Sequence, residues 1–220
     1  MQGKVLVEEE CDEGHHKTTP LGLSYVSINT IENLEIGYGT KLIMKDGKFS
    51  RLIQGRFKAG NKLDGYGQMF YDLNQTTFYI GDWKDGKRHG QGTIHLGTYH
   101  YSGQWTNDKI TGFGRITFSK TFEKGLYLYY EGELKNSKYH GHGRFVFRNG
   151  DIFEGMYSNG NRNGYGKEVK INGDIYEGTW KGNRKNTGKL RRTKHRCEIQ
   201  FKDGKTIGDD AYNSYCLSFT

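Results

Sequence analysis

A glycine with a large apolar residue two positions before it and another two positions after it recurs six times in the chain. The copies are Ile53-Gln54-Gly55-Arg56-Phe57, Tyr79-Ile80-Gly81-Asp82-Trp83, Tyr101-Ser102-Gly103-Gln104-Trp105, Tyr130-Glu131-Gly132-Glu133-Leu134, Phe153-Glu154-Gly155-Met156-Tyr157 and Tyr176-Glu177-Gly178-Thr179-Trp180. Successive key glycines lie 26, 22, 29, 23 and 23 residues apart. A Gly-x-Gly follows each of the first five at a near-constant offset of 10, 9, 9, 9 and 9 residues: Gly65/Gly67, Gly90/Gly92, Gly112/Gly114, Gly141/Gly143 and Gly164/Gly166. The sixth copy keeps only Gly188, followed by Lys189-Leu190. A fixed period of this length marks a repeat architecture.

Large residues at i−2 and i+2 lie on one face of a strand, because side chains alternate with period 2. Between each key glycine and its Gly-x-Gly stand turn formers: Asp85-Gly86, Asn107-Asp108, Asn136-Ser137, Asn159-Gly160 and Gly182-Asn183. Such pairs accept positive φ and suit tight hairpins. Each unit therefore reads as one β-hairpin. Its second strand is predicted to start at Gly-x-Gly and to carry Met69, Ile94, Ile116, Phe145 or Val169. Turns such as Asn149-Gly150 and Asn172-Gly173 lead into the next copy. A mid-strand glycine costs about 0.5–1 kcal/mol relative to alanine. Its recurrence implies a gap on the sheet face, predicted to receive a ring from the neighbouring hairpin.

Composition agrees with a thin aromatic core. Hydrophobic residues make up 33%, low for a globular domain, yet aromatics reach 14%, and Gly numbers 33 against a single Pro. Disordered chains are poor in aromatics. The formal net charge is +8, which favours acidic partners. Cys11, Cys197 and Cys216 lack any CxxC spacing, so a disulfide framework or zinc site is not expected and a reducing compartment is the simplest inference. Glu8-Glu9-Glu10 stands where a signal peptide needs an apolar run, and no apolar segment approaches the roughly 20 residues that span a bilayer. These features point to a cytoplasmic protein.

Tyr-x-Gly-x-Trp, a short turn and Gly-x-Gly together resemble the MORN repeat (membrane occupation and recognition nexus). Tyr79–Gly92 and Tyr130–Gly143 match closely, and Tyr176–Trp180 matches the first half. Gly37-Tyr38-Gly39 with Asp46-Gly47, and Cys197–Gly204, look like flanking copies. The resemblance implies an all-β fold, an elongated, curved single-layer antiparallel sheet of tandem β-hairpins. It occupies residues 36–205, with clear copies over about 50–190, between an N-terminal extension (1–35) and a C-terminal tail (206–220). It also implies scaffolding: a non-catalytic adaptor linking proteins to one another, to cytoskeletal or ciliary structures, or to membranes. The chain departs from the pattern at Leu134, where tryptophan is usual, at Glu168, where an apolar residue is expected, and in the long linker 115–129. Local irregularity is expected at these places.

Two surfaces follow. The ladder residues Tyr79, Trp83, Tyr101, Trp105, Tyr130, Phe153, Tyr157, Tyr176 and Trp180 are candidates to support a protein-binding face, since aromatics are common hot spots. The open sheet ends offer sites for self-association. The second surface is the basic run Lys181, Arg184, Lys185, Lys189, Arg191, Arg192, Lys194 and Arg196, which holds no acid. It reads as a solvated charge run, as a contact for an acidic protein, or as an anionic-lipid dock at about 1 kcal/mol per cation. Nucleic acid is disfavoured because the aromatics occupy packing positions. His140-Gly141-His142 places two imidazoles on one strand, but His89 fills the same slot as His140, so the histidines belong to the repeat pattern and no metal is assigned. Glu131, Glu154 and Glu177 recur at one slot too. No nucleophile–base–orienter set is present, and neither an enzyme nor a cofactor is inferred.

Overall fold

The computed structural model describes residues 5–10, 37–45 and 48–208. Two compact units divide at Lys109/Ile110. In the first, β1 (Val5–Glu10) pairs parallel with β2 (Gly37–Lys45). From β2 the chain runs as an antiparallel meander through β3 (Lys48–Lys58), β4 (Lys62–Phe70), β5 (Phe78–Lys84), β6 (Lys87–His95) and β7 (Tyr99–Thr106). The second unit continues with β8 (Lys109–Phe118), β9 (Tyr127–Lys135), β10 (Lys138–Phe147), β11 (Ile152–Ser158), β12 (Asn161–Val169), β13 (Ile175–Lys181), β14 (Arg184–Arg192), β15 (Cys197–Lys202) and β16 (Lys205–Ile207). Each unit is a sheet of consecutive hairpins, as the repeat implied. Gly37-Tyr38-Gly39 lies in β2, the late copy is the β15–β16 hairpin, and Asp46-Gly47 falls outside the described residues.

The hairpin turns sit where the sequence placed them. Both central residues have positive φ at Asp85/Gly86 (54° and 77°), Asn136/Ser137 (51° and 61°), Asn159/Gly160 (49° and 89°) and Gly182/Asn183 (55° and 67°), the mark of a type I′ turn. The second central residue also reaches back to the preceding hairpin. Gly86 N donates to Leu63 O, Asp108 N to Arg88 O, Ser137 N to Ile110 O, Gly160 N to Tyr139 O and Asn183 N to Arg162 O, at 2.8–3.1 Å. Where that residue carries an acceptor the bond is returned: Arg88 N donates to Asp108 Oδ1, Ile110 N to Ser137 Oγ and Arg162 N to Asn183 Oδ1. Replacing Asn183 with Ala removes the returned bond and leaves alanine in a left-handed conformation. We expect a loss of about 1–2 kcal/mol in chemical denaturation, with Asn183→Gly losing less.

The Gly-x-Gly expectation needs correction. β4, β6, β8, β10 and β12 each begin three residues before the first of these glycines. That glycine is instead a bulge within the strand. In the β5–β6 hairpin Gly81 pairs with Gly92 and Trp83 with Arg88, so His89–Gln91 oppose Asp82 alone. Gly90 accommodates the kink at φ 59°. The sixth hairpin pairs Gly178 with Gly188 and Trp180 with Lys185, so only Asn186 and Thr187 fill the bulge. It is one residue shorter and needs no first glycine, which explains the worn copy.

The register also shows why the glycines recur. They pair with one another across the strands: Gly39, Gly55, Gly67, Gly81, Gly92 and Gly103 in the first unit, and Gly114, Gly132, Gly143, Gly155, Gly166, Gly178 and Gly188 in the second. The ring that fills the gap comes from the same hairpin, not from the neighbour. Tyr79 lies over Gly81/Gly92 and Tyr130 over Gly132/Gly143, and a Cβ on Gly143 would stand 2.3 Å from Tyr130 Oη. The hydroxyls donate three residues ahead: Tyr79 to Asp82 O, Tyr101 to Gln104 O, Tyr130 to Glu133 O and Tyr176 to Thr179 O. The neighbouring hairpin supplies the flank. Trp105 meets Tyr79 edge-on at 5.2 Å, Tyr157 meets Tyr130 at 5.5 Å, and Trp180 meets Phe153 at 5.1 Å.

Of the three expected irregularities, only the linker shows one. A 3-10 turn at Phe122–Gly125 interrupts it, with Glu123 and Lys124 at positive φ. Leu134 and Glu168 sit inside regular strands and are buried. Leucine fills the tryptophan slot without opening the core, and Glu168 is neutralised by cations. Cys197 is disulfide-bonded, which the spacing of the cysteines did not lead us to expect.

Candidate interaction surface

Each sheet has a ring face and an opposite face. All nine ladder residues point to the ring face, and none is more than 5% exposed. As direct contacts for a partner they are therefore corrected: they are the core, and each covers backbone or another ring. Burial lifts the Tyr79, Tyr101 and Tyr130 hydroxyls well above the usual tyrosine range. Cations close over the rings. The Arg88 guanidinium lies 4.4 Å from the Trp105 ring, and that of Arg162 4.3 Å from Phe153 and 5.0 Å from Trp180. Arg162, Lys185 and Lys170 converge on Glu168 at 3.0, 3.1 and 3.6 Å.

The basic run is not one patch. Lys185 pairs with Glu168, Lys189 and Arg191 with Glu198 at 3.1 and 3.3 Å, and buried Arg192 with Asp174 at 3.4 Å. The acids come from neighbouring strands and loops, so four of the eight cations in the acid-free stretch are paired in space. Lys181 and Arg184 flank the β13–β14 turn, while Lys194 and Arg196 lie in the loop after β14. The nine residues of β14 hold the two pairs about 26 Å apart.

The bulge at Gly141 (φ 54°) stands between His140 and His142, and His142 is exposed 3.9 Å from Glu154. Among the described residues no group of three or more His, Cys, Asp or Glu side chains converges as metal ligands do, and no helix is long and apolar enough to cross a membrane.

What the sheets expose lies on the opposite face. The middle residue of Gly-x-Gly stands there, and in four copies it is aromatic: Tyr38 is 80% exposed, Tyr66 65%, Phe113 57% and Tyr165 57%. In the first unit Tyr38 and Tyr66 flank a cleft of about 520 Å³, floored by Gly39, Gly55 and Gly67 and walled on the far side by Gln54, Gln68 and Ile80. Gln68 Nε2 donates to Gln54 Oε1 at 2.9 Å, fixing that wall. The signal for this surface was present in sequence, as an aromatic between two glycines in a slot where the repeat needs no packing residue.

In the second unit the neighbouring slot carries a different pattern. Directly paired residues read Arg115, Glu131, Arg144, Glu154, Lys167, Glu177, Lys189, alternating in sign over seven strands. The corresponding residues of the first unit, Thr40, Gln54, Gln68, Ile80, Thr93 and Ser102, are uncharged. The sequence reading treated the recurring glutamates as repeat pattern and missed their alternation with cations, which appears only once the register is known.

A meander of hairpins, most of them closed by a type I′ turn, bulged at a glycine and sealed by one ring, defines a tandem β-hairpin repeat protein. The MORN repeat family model matches residues 79–100, 101–120, 130–152, 153–175 and 176–186. These residues form five consecutive MORN repeats. MORN repeats are a non-catalytic repeat type, and they are protein- or membrane-binding modules. The hairpin around Gly55 precedes the matched residues. It keeps the Gly55–Gly67 pair but covers it with Leu63, whose Cδ1 stands 2.8 Å from the Cβ position of Gly55.

Proposed function

We propose that this protein is a non-catalytic adaptor that holds a protein partner on the face opposite the ring ladder, centred on the Tyr38–Tyr66 cleft. The observation that carries the proposal is the 80% and 65% exposure of two tyrosines over a side-chain-free floor. Large aromatics raised beside a cleft with a few fixed amides are suited to an extended peptide segment, since rings give contact area at small entropic cost. Because the ladder is consumed by packing, a partner can bind without disturbing the fold. The family resemblance extends the reading to a place in a cytoskeletal or ciliary assembly.

Quantitative co-purification with mass spectrometry, comparing wild type with Tyr38→Ser/Tyr66→Ser, tests it. The expected result is loss of specific partners, with the cytoskeletal or ciliary reading judged by which proteins are lost, and with an unchanged circular dichroism spectrum. Retention of every partner by the folded double variant overturns the proposal.

A further inference from the structure

We propose that the exposed face of the second unit is where two copies of this chain meet. Three stripes run side by side across its strands. The alternating charges of Arg115 to Lys189 form the first. Beside them Tyr129, Val146, Ile152, Val169 and Ile175 are paired in register and half-buried, with the Arg115 guanidinium lying 4.0 Å from the Tyr129 ring. Phe113, Met156 and Tyr165 stand exposed on the other flank.

A charge row that alternates strictly is complementary to itself when reversed. Face-to-face stacking about a two-fold axis parallel to the strands reverses the row and lays each stripe on its counterpart. With the axis between β10 and β11, Arg144 opposes Glu154 of the second copy, Glu131 opposes its Lys167, and Arg115 opposes its Glu177. The same operation sets Val146 on Ile152, Tyr129 on Val169 and Thr117 on Ile175 of the second copy. Moving the axis half a strand spacing opposes like charges throughout. Moving it a full spacing toward β14 restores opposite charges but sets Tyr129 on Arg191, and moving it a full spacing toward β8 overlaps only four strands of the unit, so the apolar stripe and the extent of overlap together select the first register.

The ladder does not close on itself within one sheet. Among its neighbouring pairs in the described residues, only Arg115–Glu131 approaches as a salt bridge, at 3.3 Å. Six strands at about 4.8 Å make a patch about 29 Å wide, and three stripes about 7 Å apart make it about 20 Å long, so two copies bury roughly 1,200 Å² in total, near the lower limit of stable interfaces. Each ion pair contributes little, but together they fix partner and register.

Sedimentation velocity on the full chain tests the proposal. Wild type is expected to shift from monomer to dimer with concentration. Arg144→Glu opposes Glu to Glu twice in a dimer, and Glu154→Arg opposes Arg to Arg twice, so each variant alone is expected to stay monomeric. In an equal mixture the introduced glutamate of one variant faces the introduced arginine of the other. The native Glu154 of the first then faces the native Arg144 of the second, and dimer is expected to return. A within-sheet role for the ladder cannot produce that recovery, because mixing changes no contact inside either chain. A wild type that is monomeric at every concentration overturns the proposal without recourse to variants. So do variants, folded by circular dichroism, that dimerise as wild type does, or a mixture that stays monomeric.

Discussion

Replacing Gly143 with Ala is expected to destabilise the second unit by about 3 kcal/mol, a fall in Tm on the order of 10 °C. The substitution adds one methyl group to a position whose backbone accepts it, since Gly143 is not among the glycines at positive φ. The cost comes from space alone. The new Cβ would stand 2.3 Å from Tyr130 Oη and 2.6 Å from Cε2 and Cζ, so the ring must leave the glycine pair. In leaving it gives up the hydrogen bond to Glu133 O and its contact with Tyr157. The test is a double-mutant cycle by chemical denaturation. Tyr130→Leu removes the far end of the ring, because leucine stops at the δ carbons. In that background Gly143→Ala is expected to cost little, or to gain part of the 0.5–1 kcal/mol that alanine holds over glycine in a strand. An equal cost in both backgrounds refutes the ring-over-glycine account.

That cycle probes the point at which reading along the chain and seeing the register part company. Spacing alone located the hairpins, because i−2 and i+2 around a glycine share a strand face and Asn-Gly or Asp-Gly pairs demand a particular turn. Residues such as Asp85-Gly86 and Asn159-Gly160 carry that information locally. Spacing could not say whether the ring over Gly92 belonged to Tyr79 or to the next hairpin, because both lie within reach in sequence. Nor could it say which face was covered. In a single sheet every second residue faces the rings, and the alternation that makes Tyr79 and Trp83 neighbours also leaves Tyr66 and Tyr165 outside. The charge ladder was hidden for another reason. Glu131 and Arg144 lie thirteen residues apart and become neighbours only through the bulge at Gly141, which shifts the register between β9 and β10. The basic run misled in the opposite direction: Glu168, Asp174 and Glu198, the last just beyond its end, neutralise four of its eight cations.

Glu168 takes this furthest, since the repeat pattern assigns its position to an apolar side chain. It lies in register with Phe153 and Tyr176 on the ring face and is 7% exposed. A lone buried carboxylate there would be costly. Burial pulls its pKa upward, but Lys185, Lys170 and Arg162 outweigh that pull and hold it below the usual glutamate value of 4.5. The cations serve the core as well. Arg162 covers Phe153 and Trp180, and Lys185 stands 5.1 Å from the Tyr176 ring. Glu168 thus anchors the two side chains that seal the rings. Glu168→Ala leaves three cations without their shared partner, and a loss of about 3 kcal/mol is expected. Glu168→Gln keeps the volume and isolates the charge. Because the folded-state pKa is depressed, the contribution of the carboxylate is fully present above about pH 4.5 and fades as pH falls through the folded value. The difference in unfolding free energy between wild type and Glu168→Gln should therefore be largest near neutrality and shrink in acid. Asp151 and Glu198 also titrate at depressed pKa on this limb, but they are common to both proteins and cancel in the difference. A difference that stays constant from pH 7 down to pH 3 would show that the charge of Glu168 carries none of the stabilisation, and that its packing alone does.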